Sequence, residues 1–396
     1  MKLIQRKELL DKLCSLRGTP DIKVVTGIRR CGKSELLRSF LGLIAEEDST
    51  VNIVYIDLTD LDNEPLKEYH ALASFIESRQ DPQKANILCV DEVQLCEGFE
   101  LAINSIHTKG GWDIYLTGSN AFMLSSDLAT LFTGRHVEVP VFPFSFKEYR
   151  EYFGAGNVNE QFDDYVFAGG MSGSYLYDDE RARMDYVRSV YDTIINRDLI
   201  QKHAISNVTA FNALSEFMMD NIGNLENANS ISKALKEDGR PSSHVTVGNH
   251  MGYLCDAFLF YKVKRYDIRG KRYLDTNDKY YLVDQGFRWG VLGTRNMDYG
   301  RVYESIVAIE LLRRGWSIYV GKLYQKEIDF VAMRPSEKMY IQVCDDISGE
   351  KTLEREIDPL LRIRDAYPKM LLANTRHEEY DVQGVRVVDI ARWLAG

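Results

Sequence analysis

A glycine-rich segment near the N-terminus carries residue types suited to holding phosphate. It fits the pattern G-x-x-x-x-G-K-[ST] at every fixed position. Its residues are Gly27, Ile28, Arg29, Arg30, Cys31, Gly32, Lys33 and Ser34. Glycines let such a loop turn so tightly that backbone N–H groups point at phosphate oxygens, and the N-terminal end of the following helix adds positive charge. Lys33 is predicted to reach the β- and γ-phosphates of ATP, and the Ser34 hydroxyl to bind Mg²⁺.

Two adjacent carboxylates follow the apolar run 86–90. Asp91, at the tip of such a strand, suits the Mg²⁺ shell, and Glu92 beside it is predicted to polarise the attacking water. Ser34 and Asp91 are therefore the predicted metal ligands, and Lys33 and Glu92 are predicted to be catalytic. The alternative is a pair of solvated acids at a strand end.

Three further residues are candidates for catalysis. Ser119 and Asn120 follow the next apolar run and are predicted to orient the attacking water. An N-cap for a helix beginning at Ala121 is the competing interpretation, and both can hold. Arg135 is a candidate charge sensor for the γ-phosphate, with a surface or ion-paired arginine as its alternative.

Short apolar runs alternate with helical patterns over the first 140 residues. Nearly continuous apolar runs are typical of strands buried on both faces. The predicted strands are 22–26, 51–57, 86–91, 112–117 and 136–139. Alternation of strand and helix indicates a parallel α/β sheet.

Composition excludes several classes of protein. Hydrophobic residues make up 45% and charged residues 27% of the 396, which are ordinary globular values and exclude disordered, collagen-like and disulfide-scaffold chains. A net charge of −10 argues against a general polyanion binder, so any nucleic-acid contact needs a local basic patch. No apolar run is long enough to cross a bilayer, and six irregularly spaced cysteines favour a reduced, cytoplasmic protein.

Residues 207–285 show three helical patterns followed by a hairpin, which is the order of a winged helix. The predicted hairpin strands are 259–266 and 271–274. Residues 240–280 hold eight Lys or Arg and four acids, with tyrosines among the bases, a composition suited to phosphate contact and base stacking. The cations predicted to contact DNA are Lys264, Arg265, Lys271 and Arg272. A solvated hairpin, or a winged helix that binds protein, is the alternative.

The motifs together resemble a large family of prokaryotic AAA-type ATPases whose C-terminal half is labelled a domain of unknown function. The resemblance is carried by segments 26–34, 90–94, 116–120, 134–135, 143–149, 196–198, 303–304 and 327–330. It implies the nucleotide-binding fold in which a catalytic glutamate follows the Walker B aspartate, which matches Asp91 and Glu92. It also implies a winged helix followed by a restriction-nuclease-like α/β unit.

These observations predict an α/β protein of four parts. Residues 1–140 are predicted to form a parallel-sheet P-loop NTPase domain of the catalytic-glutamate class, and residues 141–206 a helical linker or lid. Residues 207–285 are predicted to form a winged-helix domain. Residues 286–396 are predicted to form a degenerate, restriction-nuclease-like α/β domain.

The nuclease-like part contains three candidates for a vestigial metal site. In restriction-type nucleases a helix acid, an Asp and a (Glu/Gln)-x-Lys strand assemble around Mg²⁺. Glu304, Asp329 and Gln342 match the first three positions, but Cys344 replaces the lysine and cannot supply a fixed positive charge. No sequence pattern places another lysine there, so a scaffold with a lost active site is the favoured interpretation.

The predicted function is a Mg²⁺-dependent protein that binds and hydrolyses ATP and acts as a switch for a C-terminal half that binds DNA or protein. A nucleotide-dependent regulator or scaffold with negligible turnover is the second hypothesis. An ATP-gated nuclease is the third.

Overall fold

A computed structural model describes residues 4–118, 132, 134–154, 156–294 and 297–396 of the chain. Contacts divide the chain into two units, with the division between Val141 and Phe142. No helix within the described ranges has the length and hydrophobicity needed to cross a membrane.

The first unit is built on five strands. They are β1 (Ile22–Thr26), β2 (Asn52–Asp57), β3 (Asn86–Asp91), β4 (Asp113–Gly118) and β5 (His136–Pro140). Their order across the sheet is β2-β3-β4-β1-β5, and every neighbouring pair is parallel. β1 and β3 are buried along their whole length, as their continuous apolar runs predict. The parallel α/β sheet expected from the sequence is confirmed.

The order of the strands determines which residues meet at the carboxyl edge of this sheet. β4 lies between β1, which leads into the glycine-rich loop, and β3, which ends at Asp91. Thr117, near the end of β4, is therefore positioned between the two motifs. Among its described residues, the helices of this unit are α1 (Lys7–Ser15), α2 (Lys33–Glu47), α3 (Tyr69–Ser78) and α4 (Phe99–Lys109), with 3₁₀ segments at Leu61–Lys67 and Val93–Leu95.

The second unit is mainly helical up to residue 256. Its helices there are α5 (Phe146–Phe153), α6 (Val158–Ala168), α7 (Glu180–Thr193), α8 (Val208–Asp220), α9 (Ala228–Glu237) and α10 (His244–Asp256). A 3₁₀ segment, Ser172–Leu176, precedes α7, and a π-helical segment, Ile194–Gln201, follows it. α5 begins with a capping box, in which the side chains of Ser145 and Glu148 each accept a hydrogen bond from the other's backbone N–H.

A mixed sheet of nine strands completes the second unit. The strands are β6 (Leu225–Glu226), β7 (Phe260–Asp267), β8 (Arg272–Leu282), β9 (Ser317–Leu323), β10 (Lys326–Arg334), β11 (Glu337–Cys344), β12 (Lys369–Ala373), β13 (Tyr380–Val382) and β14 (Val385–Asp389). Their order is β13-β14-β12-β11-β10-β9-β7-β8-β6. The remaining helices are α11 (Gln285–Leu292), α12 (Tyr299–Arg313), α13 (Glu350–Leu361) and α14 (Ile390–Ala395).

The β7–β8 hairpin and the C-terminal strands belong to one sheet. β7 pairs with β9 in parallel, with Arg265 opposite Val320. The sheet therefore continues across residue 285, where the sequence predicts a boundary between two domains. The four predicted domain ranges stay predictions.

Candidate functional site

The backbone conformation of the glycine-rich loop requires glycine at two positions. Gly27 has φ +145°, and a Cβ atom there would lie 2.1 Å from the backbone oxygen of Val141. Gly32 has φ +97° and forms the N-cap of α2. Any other residue at either position would therefore strain or displace the backbone.

The Lys33 side chain is buried and folds back onto the loop. Its Nζ atom donates hydrogen bonds to the backbone oxygens of Gly27, at 2.9 Å, and Ile28, at 3.1 Å. An ammonium group has three N–H donors, so one remains for a phosphate oxygen. The geometry of this loop therefore fits the phosphate chain of a nucleotide, held by loop N–H groups and one positive charge.

A residue outside the motif also contacts the loop. Arg6 is buried, and its Nη1 atom donates to the backbone oxygen of Cys31 at 3.2 Å. Sequence analysis missed this contact because Arg6 lies 25 residues from Cys31, before α1, and no local pattern links the two positions.

Asp91 is held by side chains from the two neighbouring strands. The Tyr55 hydroxyl, on β2, donates to Asp91 Oδ2 at 2.8 Å, and the Thr117 hydroxyl, on β4, donates to Asp91 Oδ1. Burial raises the pKa of Tyr55, and its hydrogen bond to Asp91 raises it further, so this phenol stays a donor. The carboxylate is thus fixed in orientation while each oxygen keeps a lone pair for a metal ion or its water ligands.

Glu92 has an unusual backbone conformation. Its φ is +54°, in the left-handed region, which costs a non-glycine residue about 1–2 kcal/mol. Its N–H donates to Thr117 Oγ1 at 2.8 Å, and Gln94 Nε2 donates to its carboxylate. Thr117 therefore connects the carboxylate of Asp91, the predicted metal ligand, to the backbone of Glu92, and Gln94 fixes the Glu92 side chain. Strain of this kind is concentrated at functional sites.

The remaining predicted residues of this site are not brought into it by any described contact. Ser119 and Asn120 lie outside the described residues. Arg135 is exposed, and its backbone oxygen accepts a hydrogen bond from the Ile22 N–H at 3.0 Å, just before β5. Their proposed roles stay predictions.

The basic hairpin is less uniformly cationic than its composition indicates. Lys264, Lys271 and Arg272 are exposed, and Arg265 is half-buried. Four of the eight basic residues counted between 240 and 280 are paired with a carboxylate or buried. Arg240 pairs with Asp238 at 3.0 Å, and Arg272 pairs with Asp267 at 3.9 Å. Lys262 pairs with Asp278 at 2.9 Å, and Lys279 is buried.

Lys279 lies at the centre of the predicted vestigial metal site. Its Nζ atom is 2.7 Å from Glu304 Oε1, 2.8 Å from Glu327 Oε1 and 3.6 Å from Asp329 Oδ1. The Tyr281 hydroxyl also donates to Glu304 Oε1, at 2.6 Å. No sequence pattern placed a lysine at this centre, and the structure brings Lys279 to it. The positive charge comes from β8, which the sequence predicted to end at Leu274.

The other members of this centre have distinct positions. Asp329 Oδ2 accepts from the Val343 N–H at 2.9 Å, and Gln342 Oε1 accepts from the Asp329 N–H at 3.3 Å. Burial, and then the charge of Glu304, raise the pKa of Asp329 to about 8. One ammonium group does not neutralise three carboxylates, so Asp329 keeps its proton near neutral pH.

Cys344, at the lysine position of the nuclease pattern, lies at the end of β11 and supplies no positive charge. Its thiol donates to the backbone oxygen of Asp346 at 3.3 Å. Burial raises the pKa of the thiol to about 11, which keeps it neutral. In the part of the chain that the structure describes, no cluster of three or more His, Cys, Asp or Glu side chains is arranged to hold a metal ion.

Comparison with known proteins agrees with this organisation. Residues 19–150 match a family model described as an AAA domain, and residues 159–298 match one described as a domain of unknown function, DUF8612. An uncharacterised protein of Methanocaldococcus jannaschii is 25% identical over 376 residues, which cover 90% of this chain and 82% of the relative. The solved structure of a Walker-type ATPase of Pyrococcus abyssi is 19% identical, with a TM-score of 0.49 over 73% of this chain and 95% of that chain.

A second relative is more similar in sequence to this chain. An uncharacterised protein of Haemophilus influenzae is 36% identical over 401 residues, which cover 99% of this chain and 98% of the relative. The five-stranded parallel sheet, the phosphate loop and the match to the AAA model identify the N-terminal unit as an AAA-type P-loop domain. A domain of unknown function follows it. The chain belongs to the same protein family as the Haemophilus influenzae relative.

Proposed function

We propose that the protein is a Mg²⁺-dependent ATPase whose nucleotide state controls what its C-terminal half binds. The observation that carries the proposal is the pair of hydrogen bonds that Thr117 makes with Asp91 and Glu92, at the sheet edge where β1 leads into the phosphate loop. A solvated pair of acids at a strand end would not need such fixed orientation.

Each residue has a role in this proposal. The N–H groups of residues 28–34 and the Lys33 ammonium bind the phosphates, and Ser34 and Asp91 hold Mg²⁺. Bound Mg²⁺ neutralises charge that develops on the phosphates. Glu92 accepts a proton from the attacking water. Ser119, Asn120 and Arg135 remain candidates for orienting that water and for sensing the γ-phosphate.

The test separates binding from turnover. We expect Lys33→Ala to lose ATP binding, and Glu92→Gln to bind ATP while losing turnover by about 10²–10⁴-fold. Glu97→Gln is the matched control, because Glu97 is an exposed acid on the same segment. Wild-type turnover by Glu92→Gln would reject the role given to Glu92. Negligible turnover by the wild type would instead favour the regulator or scaffold hypothesis.

The C-terminal half supplies the binding function in this proposal. The order α8, α9, α10 and the β7–β8 hairpin, with β6 paired to β8, supports a winged helix. We propose that its cations Lys264, Arg265, Lys271 and Arg272 contact DNA phosphates. Reversal of these four charges should abolish binding and remove a salt dependence equivalent to about 3–5 phosphate contacts. Equal affinity of Glu92→Gln for DNA with ATP and with ADP would reject control by the nucleotide.

We also propose that the centre around Lys279 is a structural ion-pair cluster and does not cut DNA. The ammonium group stands among the carboxylates where a cation would bind, so a metal ion would have to displace it. A nuclease gated by ATP is the competing proposal, and it is tested separately in the Discussion.

A further inference from the structure

One face of the second unit's sheet combines exposed tyrosine rings with lysines. Tyr273, on β8, is directly opposite Tyr266 in the hairpin register. Its ring centroid lies 5.6 Å from that of Tyr266 and 5.0 Å from that of Tyr319, on β9. Tyr273 is 58% exposed, Tyr319 is half-buried and Tyr266 is buried beneath them. The ring of Tyr273 meets that of Tyr266 edge to face, at 61°, and is tilted by 44° to that of Tyr319, and its exposed ring surface can be covered by a planar partner.

A lysine surrounded by aromatic rings lies beside this cluster of tyrosines. The Nζ atom of Lys338, on β11, is 5.4 Å from the ring centroid of Tyr266, 4.8 Å from that of Tyr340 and 5.2 Å from that of Tyr367. Tyr367 is 47% exposed. Burial lowers the pKa of Lys338, Asp365 raises it, and the nearby charge of Lys271 lowers it. Lys271 is an exposed residue of the hairpin turn, two residues before Tyr273, so the surface offers the ammonium groups of Lys271 and Lys338 to an anion.

The carboxylates next to these lysines are occupied by other donors. Asp267 accepts the N–H groups of Arg269 and Gly270 in the hairpin turn, and Asp365 accepts the Tyr340 hydroxyl at 2.6 Å. In the described ranges, no carboxylate forms an ion pair with Lys271 or Lys338. The face thus carries two lysines beside its aromatic rings, and neither lysine pairs with a carboxylate in the described ranges.

We propose that this tyrosine–lysine surface, formed by Tyr273, Tyr319, Tyr367, Lys271 and Lys338, binds single-stranded nucleic acid. Unpaired bases would stack on the exposed rings, and backbone phosphates would contact the two lysines. Every base has a π-face, so the surface would bind strands with little regard to sequence. A duplex keeps its base faces covered and offers these rings nothing to stack on. The inference rests on the proposed nucleic-acid role of the hairpin, but it does not depend on ATP turnover.

The test compares single strands with duplex on the full chain. Fluorescence anisotropy is recorded with a labelled oligothymidylate of about 16 nucleotides, an oligouridylate of the same length and a duplex. We expect both single strands to bind more tightly than the duplex, and the tighter of the two identifies the sugar that the surface prefers. Tyr273→Ala should weaken single-strand binding about tenfold, and Tyr273→Phe should retain it because the ring remains. Lys271→Gln with Lys338→Gln should lower the salt slope by about 1–2.

Tyr380→Ala is the matched control, since Tyr380 is an exposed tyrosine on β13 at the far edge of the same sheet. It should bind the oligonucleotides as the wild type does. If the duplex binds as tightly as the single strands and Tyr273→Ala binds as the wild type, the inference is overturned while DNA binding by the hairpin cations stands. If no nucleic acid binds, both proposals fail. A wild-type circular dichroism spectrum and thermal transition of Tyr273→Ala show that the variant is folded.

Discussion

The hydroxyl oxygen of Thr117 lies 2.8 Å from the backbone nitrogen of Glu92, and the same hydroxyl donates its proton to Asp91. One side chain from β4 therefore fixes both the proposed metal ligand and the backbone of the proposed base. This contact exists because β4 lies between β1 and β3 in the sheet.

Thr117→Val should reduce ATP turnover and leave nucleotide binding nearly intact. Valine matches the shape of this buried threonine but cannot bond Asp91 or the Glu92 N–H, so the Asp91 carboxylate and the Glu92 backbone lose a fixed orientation. We expect kcat to fall about 10–100-fold, in the range for a lost positioning contact. Thr117→Ser, which keeps the hydroxyl, should retain most activity. Steady-state turnover and nucleotide affinity are the measurements, and wild-type kcat in Thr117→Val would contradict the positioning role.

Lys279→Met should destabilise the protein strongly. It leaves Glu304 and Glu327 without their counter-ion next to a buried centre, a loss that typically costs about 3–5 kcal/mol. Lys262→Met is a suitable control, because Lys262 is an exposed lysine that pairs with Asp278 on the same hairpin and should cost less than about 1 kcal/mol. Denaturant unfolding measures both. Similar losses for the two variants would argue against a buried ion-pair cluster.

Stability should fall as pH rises through the neutral range. The pKa of Asp329 is raised to about 8 and that of Asp284 to about 7, both chiefly by burial. An unfolded chain releases these protons near pH 4, roughly the ordinary Asp value. From about pH 4 to about pH 8 the folded state binds more protons than the unfolded state does, so the free energy of unfolding decreases with increasing pH.

Asp329→Asn isolates one of these two groups. An amide cannot ionise, so the variant should lose a smaller part of its stability between about pH 5 and about pH 8 than the wild type does. Asp185→Asn, on an exposed position of α7, should leave the slope unchanged. Thermal unfolding across this pH range is the measurement, and identical slopes for wild type and Asp329→Asn would show that Asp329 is ionised in the folded protein.

Purified protein should not nick supercoiled plasmid with Mg²⁺ or Mn²⁺, with or without ATP. Cleavage needs a held metal ion and an activated water. Lys279 already pairs with Glu304 and Glu327, and Gln342 offers only a neutral oxygen, a poorer ligand for Mg²⁺ than a carboxylate. Asp329→Ala is the control for contaminating nuclease. Nicking by the wild type that disappears in Asp329→Ala would establish the nuclease alternative, with Lys279 as its cation.

Local motifs account for what the sequence predicted well. The phosphate loop and the parallel sheet follow from short patterns in which neighbouring residues determine the conformation. The structure confirms the parallel sheet. The partners of Asp91 are different, because Tyr55 and Thr117 belong to other strands. Their proximity depends on sheet order, which alternation of strand and helix does not specify.

Lys279 shows how a misjudged strand end hides a contact. Asp275, Thr276, Asn277 and Asp278 have the composition of a turn, so the sequence indicated that the strand ended at Leu274. The structure continues β8 to Leu282, with an irregular register opposite Val263 and Arg265. The tertiary pairing with β7 overrides the local preference, and it carries Lys279 to Glu304, 25 residues away.

The parallel pairing of β7 with β9 determines where the chain can be divided. A fragment ending at residue 285 would retain β7 but lose the strand that covers its outer edge from Arg265 to Asp267. Unpaired N–H and C=O groups along such an edge are a template for association with other chains. Fragments cut at that position should aggregate. A C-terminal half that continues past residue 285 keeps β9 on this edge and should be monodisperse.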